Sequence, residues 1–483
     1  MSGVKSNELR IVAFLCNWCS YGGADTAGVA RATQPTDLRI IRVPCSGRVD
    51  PLFVMKALFN GADGVLVSGC HPRDCHYSTG NFYARRRLEV LKHFLPILGI
   101  DPGRFEYTWV SASEGERWKH VVTRFTEQIH ALGPAPRFDD ADTMTSVVQT
   151  ALSPIAPLRC GESNLESIKS CIRDRLQSVD CVLGWKMGRD ALHTVPYCIR
   201  KEADLDELVV GPTSVHNLAN YLRDHRGKKT GILVKGCDAK SVVELLQEKL
   251  IRREDIVILS YPCTGTFDMA RVEQDLGRYQ TLDAVSMTET ALCVTADGKE
   301  HIFPIEQYAQ SKCYFCTERM AQLSDYAFGA ADTPKDKAAP KDTPPELALL
   351  DSLSLPERMA FWKTNMERCI RCYACRNSCP LCVCRDYCIS DTRDPHWTTQ
   401  NDTSKEKLFF QVIHSLHLAG RCTGCGECQR SCPVGIPILA LRQHIARTIR
   451  ELFAGYEPGT DPNAVPPLLG YAAEEQSIKE REW

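Results

Sequence analysis

The sequence lacks the run of about 18 apolar residues that a membrane-spanning helix needs, and its opening MSGVKSNELR holds no apolar signal-peptide core. It also lacks an excess of charge of either sign. Its 58 Lys and Arg against 60 Asp and Glu leave a formal net charge of −2, which excludes a protein that coats nucleic acid through overall positive charge. No nucleophile triad, paired-carboxylate site, phosphate loop or glycine-rich dinucleotide fingerprint stands out, so hydrolytic and group-transfer chemistry have no visible machinery. What the chain does have is cysteine, 25 in 483 residues. A chain of this length needs no disulfide staples, the number is odd, and most of the cysteines fall in short-spaced groups. That pattern points to thiolate ligation of metal in a reducing cytoplasm.

The length predicts roughly three domains. Residues 8–132 read as a small α/β unit, flavodoxin-like in outline, with buried parallel strands at 11–15, 38–43 and 64–67 and helices at 51–59, 82–95 and 117–132. Residues 133–157 are polar and bracketed by prolines, a connector. A second α/β unit spans 158–330, with strands at 181–185, 230–235 and 255–260 and helices near 162–177, 214–224 and 240–250. The Ala-, Pro- and Lys-rich stretch at 330–345 reads as a tether. Residues 346–453 form a mostly helical, ferredoxin-type unit with eleven cysteines, which the two linkers lead one to expect to fold alone. The polar tail 454–483 is expected to be disordered by itself or to wrap a partner.

In the third unit, CIRCYACRNSCP (Cys369, Cys372, Cys375, Cys379) and CTGCGECQRSCP (Cys422, Cys425, Cys428, Cys432) each fit C-x2-C-x2-C-x3-C-P, the bacterial ferredoxin run. Three thiolates of each run turn toward one 4Fe–4S cubane and the fourth reaches the other. Cys369, Cys372, Cys375 and Cys432 are therefore assigned to one cluster, and Cys422, Cys425, Cys428 and Cys379 to the second. Structural zinc also uses C-x2-C pairs but does not demand this run twice. Between the runs, Cys382, Cys384 and Cys388 read as alternative ligands, as part of a further cluster or, most simply, as small buried residues beside one.

In the second unit, Cys237 follows one strand and Cys263 the next, so both thiols meet at the carboxyl edge of the sheet, where α/β folds place ligands. Cys313 and Cys316, a C-x2-C pair, would complete a four-thiolate set, for zinc or for iron–sulfur. Cys160, Cys171, Cys181, Cys198 and Cys293 stand alone and read mostly as core residues, with Cys293 an outside candidate ligand. In the first unit, Cys16, Cys45 and Cys70 each lie at the end of a strand, and Cys19 and Cys75 follow in the loops. Five thiols near one point suffice for a 2Fe–2S cluster with one to spare; a redox-active dithiol is the alternative. His71 and His76 flank the last pair and read either as ligands, as in Rieske-type centres, or, more simply, as residues with helix-start or hydrogen-bonding roles.

Two resemblances follow from these motifs. CNWCSYGGAD, RVPCSGRVDP and GADGVLVSGCHPRDCHY resemble the δ subunit of methyl-viologen-reducing nickel–iron hydrogenases across 8–130. This implies one 2Fe–2S cluster and electron delivery to a heterodisulfide-reductase-A-like flavoprotein, in complexes that can bifurcate electrons. The strand–Cys–helix, strand–Pro–Cys and C-x2-C patterns of 160–330 resemble the β subunit shared by deazaflavin-coenzyme-reducing hydrogenases and deazaflavin-linked formate dehydrogenases. That resemblance implies a 4Fe–4S cluster on Cys237, Cys263, Cys313 and Cys316, together with FAD. The chain departs from this family at Val-Lys-Gly-Cys, where Gly-Thr-Pro-Cys is usual. The expectation is an electron conduit between that flavoprotein and a hydrogenase, a formate dehydrogenase or a soluble carrier. The rivals are an FAD enzyme exchanging hydride with a diffusible cofactor and a zinc–cysteine scaffold.

Overall fold

A computed structural model of the chain describes residues 9–144, 158–160, 164–329, 344–384, 387–390, 397–475 and 477–478. The first module runs β1 (Ile11–Cys16), α1 (Ser20–Val29), β2 (Leu38–Val43), α2 (Pro51–Phe59), β3 (Gly64–Gly69), α3 (Gly80–Phe94), β4 (Phe105–Trp109) and α4 (Gly115–Leu132). All four strands are parallel, in the order β2-β1-β3-β4. Alternation along β1 sends Ile11, Ala13 and Leu15 toward α1 and α4, where Trp118, Val121, Val122, Phe125 and Ile129 recur at helical spacing. Phe14, with Val65 and Val67 of β3, faces α2 and α3 on the other side. Both faces of β1 and β3 are covered, which explains why they read as continuous apolar runs; β2, expected as a buried strand, is instead an edge strand whose Ile40 and Ile41 are exposed. The strand β4 and helix α1 were not anticipated. The Gly- and Ala-rich α1 (SYGGADTAGV) has almost no apolar periodicity for a sequence to display.

The second module follows as α5 (Leu165–Arg175), β5 (Cys181–Met187), β6 (Thr194–Ile199), α6 (Ala219–Leu222), β7 (Thr230–Val234), α7 (Gly236–Gln247), β8 (Ile256–Ser260), α8 (Met269–Leu276), β9 (Leu282–Met287), β10 (Ala291–Ala296), β11 (Lys299–Pro304), α9 (Ile305–Tyr308), α10 (Ser311–Tyr314) and β12 (Tyr326–Ala327). The expected parallel strands form the centre of the sheet β12-β8-β7-β5-β6, with β6 antiparallel at its edge. A separate antiparallel sheet, β11-β10-β9, was not foreseen.

The third module comprises α11 (Pro345–Ser352), α12 (Leu355–Arg368), α13 (Ala374–Asn377), α14 (Ser404–His417), α15 (Glu427–Arg430) and α16 (Leu439–Leu452). It is helical, as expected, but it is not a bead on a tether. Phe361, Trp362 and Met366 of α12, Leu408 and Phe409 of α14, and Leu441 and Ile445 of α16 share one apolar core with α2 and α3. Polar contacts fix the seam. Trp362 Nε1 donates to the Ile97 carbonyl at 2.8 Å, His444 Nε2 to that of His93 at 2.7 Å, and Lys56 Nζ to that of Trp397 at 2.7 Å. The tail also departs from expectation, because it wraps this chain itself. Gly459 lies against the Lys240 backbone, Gln247 Nε2 donates to the Ala464 carbonyl, and Tyr471 stacks on Phe82 with ring centres 5.3 Å apart. Arg86 binds both the Pro467 carbonyl and the Glu475 carboxylate. Of the connector 133–157 and the tether 330–345, residues 145–157 and 330–343 lie outside the described residues.

Candidate metal centres

The order β2-β1-β3-β4 reverses direction between β1 and β3, and the carboxyl edge at such a reversal is an open crevice. Cys16 ends β1, Cys70 follows β3 and Cys45 follows β2, so three strands aim thiols into that crevice. Cys16 Sγ lies 3.5 Å from Cys70 Sγ, and Cys45 Sγ 3.9 Å from Cys75 Sγ. Cys19, the residue preceding α1, faces Cys70, Cys16 and Cys75. The five thiols thus form one group. The hydrogen bond from Cys70 pulls the Cys16 thiol down to about 6, and the same contact, with burial, pushes Cys70 up. Burial lifts Cys45 to about 11.

Glycine makes the crevice. A Cβ on Gly80 would sit 2.4 Å from Cys45 Sγ and 3.5 Å from Cys75 Sγ, and one on Gly47 would sit 2.8 Å from Gly80 Cα. Ser46 Oγ is buried there without a partner. A small sulfur-rich group fits this cradle. The two histidines are otherwise engaged: His71 Nε2 meets Glu114 at 2.7 Å, and His76 stacks on Trp18 at 3.8 Å. Trp18 and Tyr77, joined by a 3.3 Å hydrogen bond, are exposed beside Cys19 and Cys75. A cleft of about 1120 Å³ opens at the opposite edge, between Arg10, Asp63, Pro134 and Met359, and has no thiol in its wall.

In the second module Cys237 stands at the start of α7 and Cys263 just past β8, with Cys313 and Cys316 in and after α10. Cys263 is an electrostatic neighbour of Cys237, Cys313 and Cys316, and burial pushes it up to about 11 and Cys237 well above the usual thiol range. The Thr266 hydroxyl lies 3.4 Å from Cys313 Sγ. Tyr261, whose hydroxyl is buried without a partner, faces Cys263 and Cys237. Lys235, which stands in Val-Lys-Gly-Cys where the family this unit resembles usually has Thr, is 1 % exposed; it pairs with Asp238 at 2.8 Å and lies over the Trp185 ring. Cys293 is elsewhere, on β10, with Cys160 as its thiol neighbour.

The ferredoxin runs face one another through α13 and α15, where Ser378 and Ser431 hydroxyls meet at 2.8 Å. Arg371 and Tyr373 hold the positive φ that Gly424 and Gly426 hold in the second run, so the two loops share one backbone path. Cys369 has Cys375 and Cys432 as neighbours, whereas Cys379 has Cys425 and Cys422. This is the crossed grouping that the motif implies. Cys382 faces Cys388 and Cys384, and Cys384 is exposed, so the buried-filler reading does not suit it.

Two buried cations join these groups, and nothing in the local sequence marked either one. Lys312, beside Cys313, donates from Nζ to the Cys425 carbonyl at 2.7 Å and has Cys237 and Glu427 as electrostatic partners. Arg442, 2 % exposed on α16, lies among Cys428, Cys422, Cys375 and Cys379, members of both ferredoxin groups. Its Nη2 meets His414 Nδ1 at 2.6 Å, and its Nε is a buried donor without a partner, as suits a sulfide-rich acceptor. Ser241 of α7 adds a bridge, 3.4 Å from the Cys237 carbonyl and 3.1 Å from the Thr423 hydroxyl.

Comparisons with known proteins agree with this layout. Residues 11–133 match the family of the methyl-viologen-reducing hydrogenase delta subunit, 227–343 match the C terminus of the coenzyme F420 hydrogenase/dehydrogenase beta subunit, and 365–436 match the 4Fe-4S dicluster domain. The D-type iron-sulfur subunit of the vhc F420-non-reducing hydrogenase of Methanococcus voltae is 52 % identical over 127 residues, 26 % of this chain and 88 % of that protein. The corresponding protein of Archaeoglobus profundus is 50 % identical over 127 residues, 26 % of this chain and 93 % of its own length. The A-type subunit of the ferredoxin:CoB-CoM heterodisulfide reductase of Methanosarcina mazei is 50 % identical over 130 residues, 27 % of this chain but only 16 % of that larger protein. A chain of the F420-reducing [NiFe] hydrogenase complex from Methanosarcina barkeri aligns over 37 % of this chain and 72 % of its own at 14 % identity, with a TM-score of 0.27 too low to argue a shared fold. Among the described residues no helix is long and apolar enough to cross a membrane. Through its first module, the chain belongs to the methyl-viologen-reducing hydrogenase delta-subunit family.

Proposed function

We propose that this chain is an iron–sulfur electron-transfer subunit of a cytoplasmic redox complex, working between a heterodisulfide-reductase-A-like flavoprotein and a partner oxidoreductase of hydrogenase or formate dehydrogenase type. In this reading the flavodoxin-like module at 8–132 holds one 2Fe–2S cluster, the module at 158–330 one 4Fe–4S cluster and the module at 346–453 two more. The tail 454–483 acts as a strap. Clusters bound at these positions supply one-electron transfer.

The observation that carries the proposal is the shared lysine. Lys312 touches the second ferredoxin group while standing next to a ligand of the middle group, so the two sites are neighbours in one buried, low-dielectric interior. Arg442 does the same for the two ferredoxin groups. At the first site, the exposed pair Trp18 and Tyr77 offers an aromatic surface beside the thiols of the kind that interfaces favour. These residues exclude water, hold positive charge near the thiolates and present one site to a partner. Two independent relatives support the partner: residues like this first module occur both as separate iron-sulfur subunits and within the larger A-type chain of a heterodisulfide reductase.

The test uses the full chain, because removing residues 1–132 would strip the core shared with α12, α14 and α16. Anaerobic preparations should contain about 14 irons per chain. Replacing Trp18 and Tyr77 together by Ala should leave iron content unchanged and slow reduction of the purified flavoprotein in rapid mixing at least tenfold. Iron near ~10 with stoichiometric zinc at the middle site, or undiminished transfer by the double variant, contradicts the proposal. Release of FAD on denaturation would instead assign hydride exchange to the middle module.

A further inference from the structure

Three residues without a motif come together at the amino edge of the second sheet. The ligand atoms of Cys181, Cys198 and His225 all lie within 4.8 Å of one another, and Cys181 Sγ is 3.4 Å from His225 Nδ1. The backbone explains the meeting. In the antiparallel pairing of β5 and β6, Val182 faces Ile199 and Leu183 faces Cys198, which puts Cys181 and Cys198 on the same face as diagonal neighbours. His225 closes the short turn Arg223–His225, and the chain then enters β7 at Thr230, the register partner of Cys181. The turn therefore folds over the strand ends and delivers an imidazole to two thiols.

This group is separate from the thiol sites already described. It lies where β5 and β7 begin, whereas Cys237 lies beyond the far end of β7, roughly 16 Å of strand away. The donor chemistry is specific. Two thiolates and one imidazole are ligands that select zinc and similar thiophilic cations over magnesium or calcium. Cys181 is 2 % exposed, so a bare thiolate there would lack solvation. Asp180, whose carboxylate accepts from Lys229 N at 2.8 Å, does not join the group of ligand atoms that lie within 4.8 Å of one another. Among the described residues no fourth His, Cys, Asp or Glu joins the three, which leaves the fourth position to water.

We propose that Cys181, Cys198 and His225 bind one zinc-class divalent cation, which clips the β5–β6 hairpin to the turn entering β7. Binding exchanges two thiol protons for the metal, with release of 2 H⁺ and no change of oxidation state. The clip fixes the start of the strand whose other end presents Cys237.

The experiment is metal analysis of the intact, anaerobically purified chain, before and after equilibration with zinc alone, with cobalt(II) as a spectroscopic substitute. About one zinc per chain is expected in addition to iron, together with thiolate-to-cobalt charge transfer and tetrahedral d–d bands in the substituted protein. Cys198→Ser and His225→Ala, each made separately, should weaken zinc binding at least tenfold and leave the iron content intact, while Cys171→Ser on α5 should change neither. Failure to take up zinc or cobalt, or zinc retained by both variants, overturns the proposal. A Cys181–Cys198 disulfide persisting in the anaerobic chain would also overturn it, replacing the site by a cross-link. Iron lost in parallel with zinc would refute its separateness.

Discussion

Gly80→Ala adds one methyl group where the structure has no room for it. The new Cβ would lie 2.4 Å from Cys45 Sγ, well inside ordinary contact, with Cys75 Sγ at 3.5 Å and Gly47 Cα at 3.7 Å closing the other sides. Two effects oppose each other. Gly80 opens α3, where Ala is favoured over Gly by up to about 1 kcal/mol. Overpacking of this kind costs about 1–3 kcal/mol. The net change in global stability is therefore small, roughly 0–2 kcal/mol against a total of about 5–15 kcal/mol, and the chain stays folded. The damage is local, since Cys45 must swing out of the thiol group. Iron content should fall from about 14 to about 12 per chain, and only the spectroscopic signature of the first site should disappear. Gly28→Ala is the control. It also lies in a helix, but its Cβ would meet nothing within 4 Å, so stability should rise slightly with no loss of iron. A Gly80→Ala chain that retains all its iron and an unaltered first-site spectrum would refute the cradle.

Arg442→Leu removes a buried positive charge from among Cys375, Cys379, Cys422 and Cys428 and should lower the reduction potentials of both ferredoxin clusters by an amount on the order of tens of millivolts; Arg442→Lys should restore part of the shift. Redox titration followed by EPR decides this, and unmoved potentials would refute it. Trp362→Ala opens the core shared by the first and third modules and should cost about 3–5 kcal/mol, seen as one cooperative denaturation midpoint moving for both modules together. Burial holds His216 and His444 at about 4, below the unfolded value of about 6.5, so the folded chain binds fewer protons than the unfolded one in that window. Their contribution is complete above about pH 6.5 and is lost on acidification through the unfolded value, on the order of 1 kcal/mol per histidine at pH 5.5. Denaturation of the His444→Gln chain should show a shallower dependence on pH over the same range.

How much of this was legible beforehand depended on the reach of the signal. The ferredoxin runs are local, with ligand spacing written into twelve residues, and Cys379 and Cys432 stand opposite the runs they were expected to serve. The strand-end cysteines of the first two modules were nearly as clear, because Cys16, Cys70 and Cys237 each follow an apolar run. The misses are long-range. Lys312 and Arg442 look like ordinary surface cations in sequence, and only packing shows them buried. Cys181 and Cys198 look isolated because 16 intervening residues hide a hairpin register. The proline-rich linkers suggested independence for 346–453, but linker composition says nothing about apolar helix faces such as that of α12, which find the first module once the chain is assembled.

The two ferredoxin loops follow the same path with different residues, and their surroundings differ more than their geometry does. Cys372 is exposed, whereas Cys425 and Cys428 are buried, Cys425 beside Lys312 and Glu427 and Cys428 beside Arg442. Dioxygen and peroxide reach a cluster through its most open ligand edge. With clusters bound in both groups, the Cys369 group should be oxidised before the inner one. An air-exposed chain should lose its outer cluster while the inner one still cycles, which makes repair a matter of refilling one accessible socket instead of refolding the whole assembly.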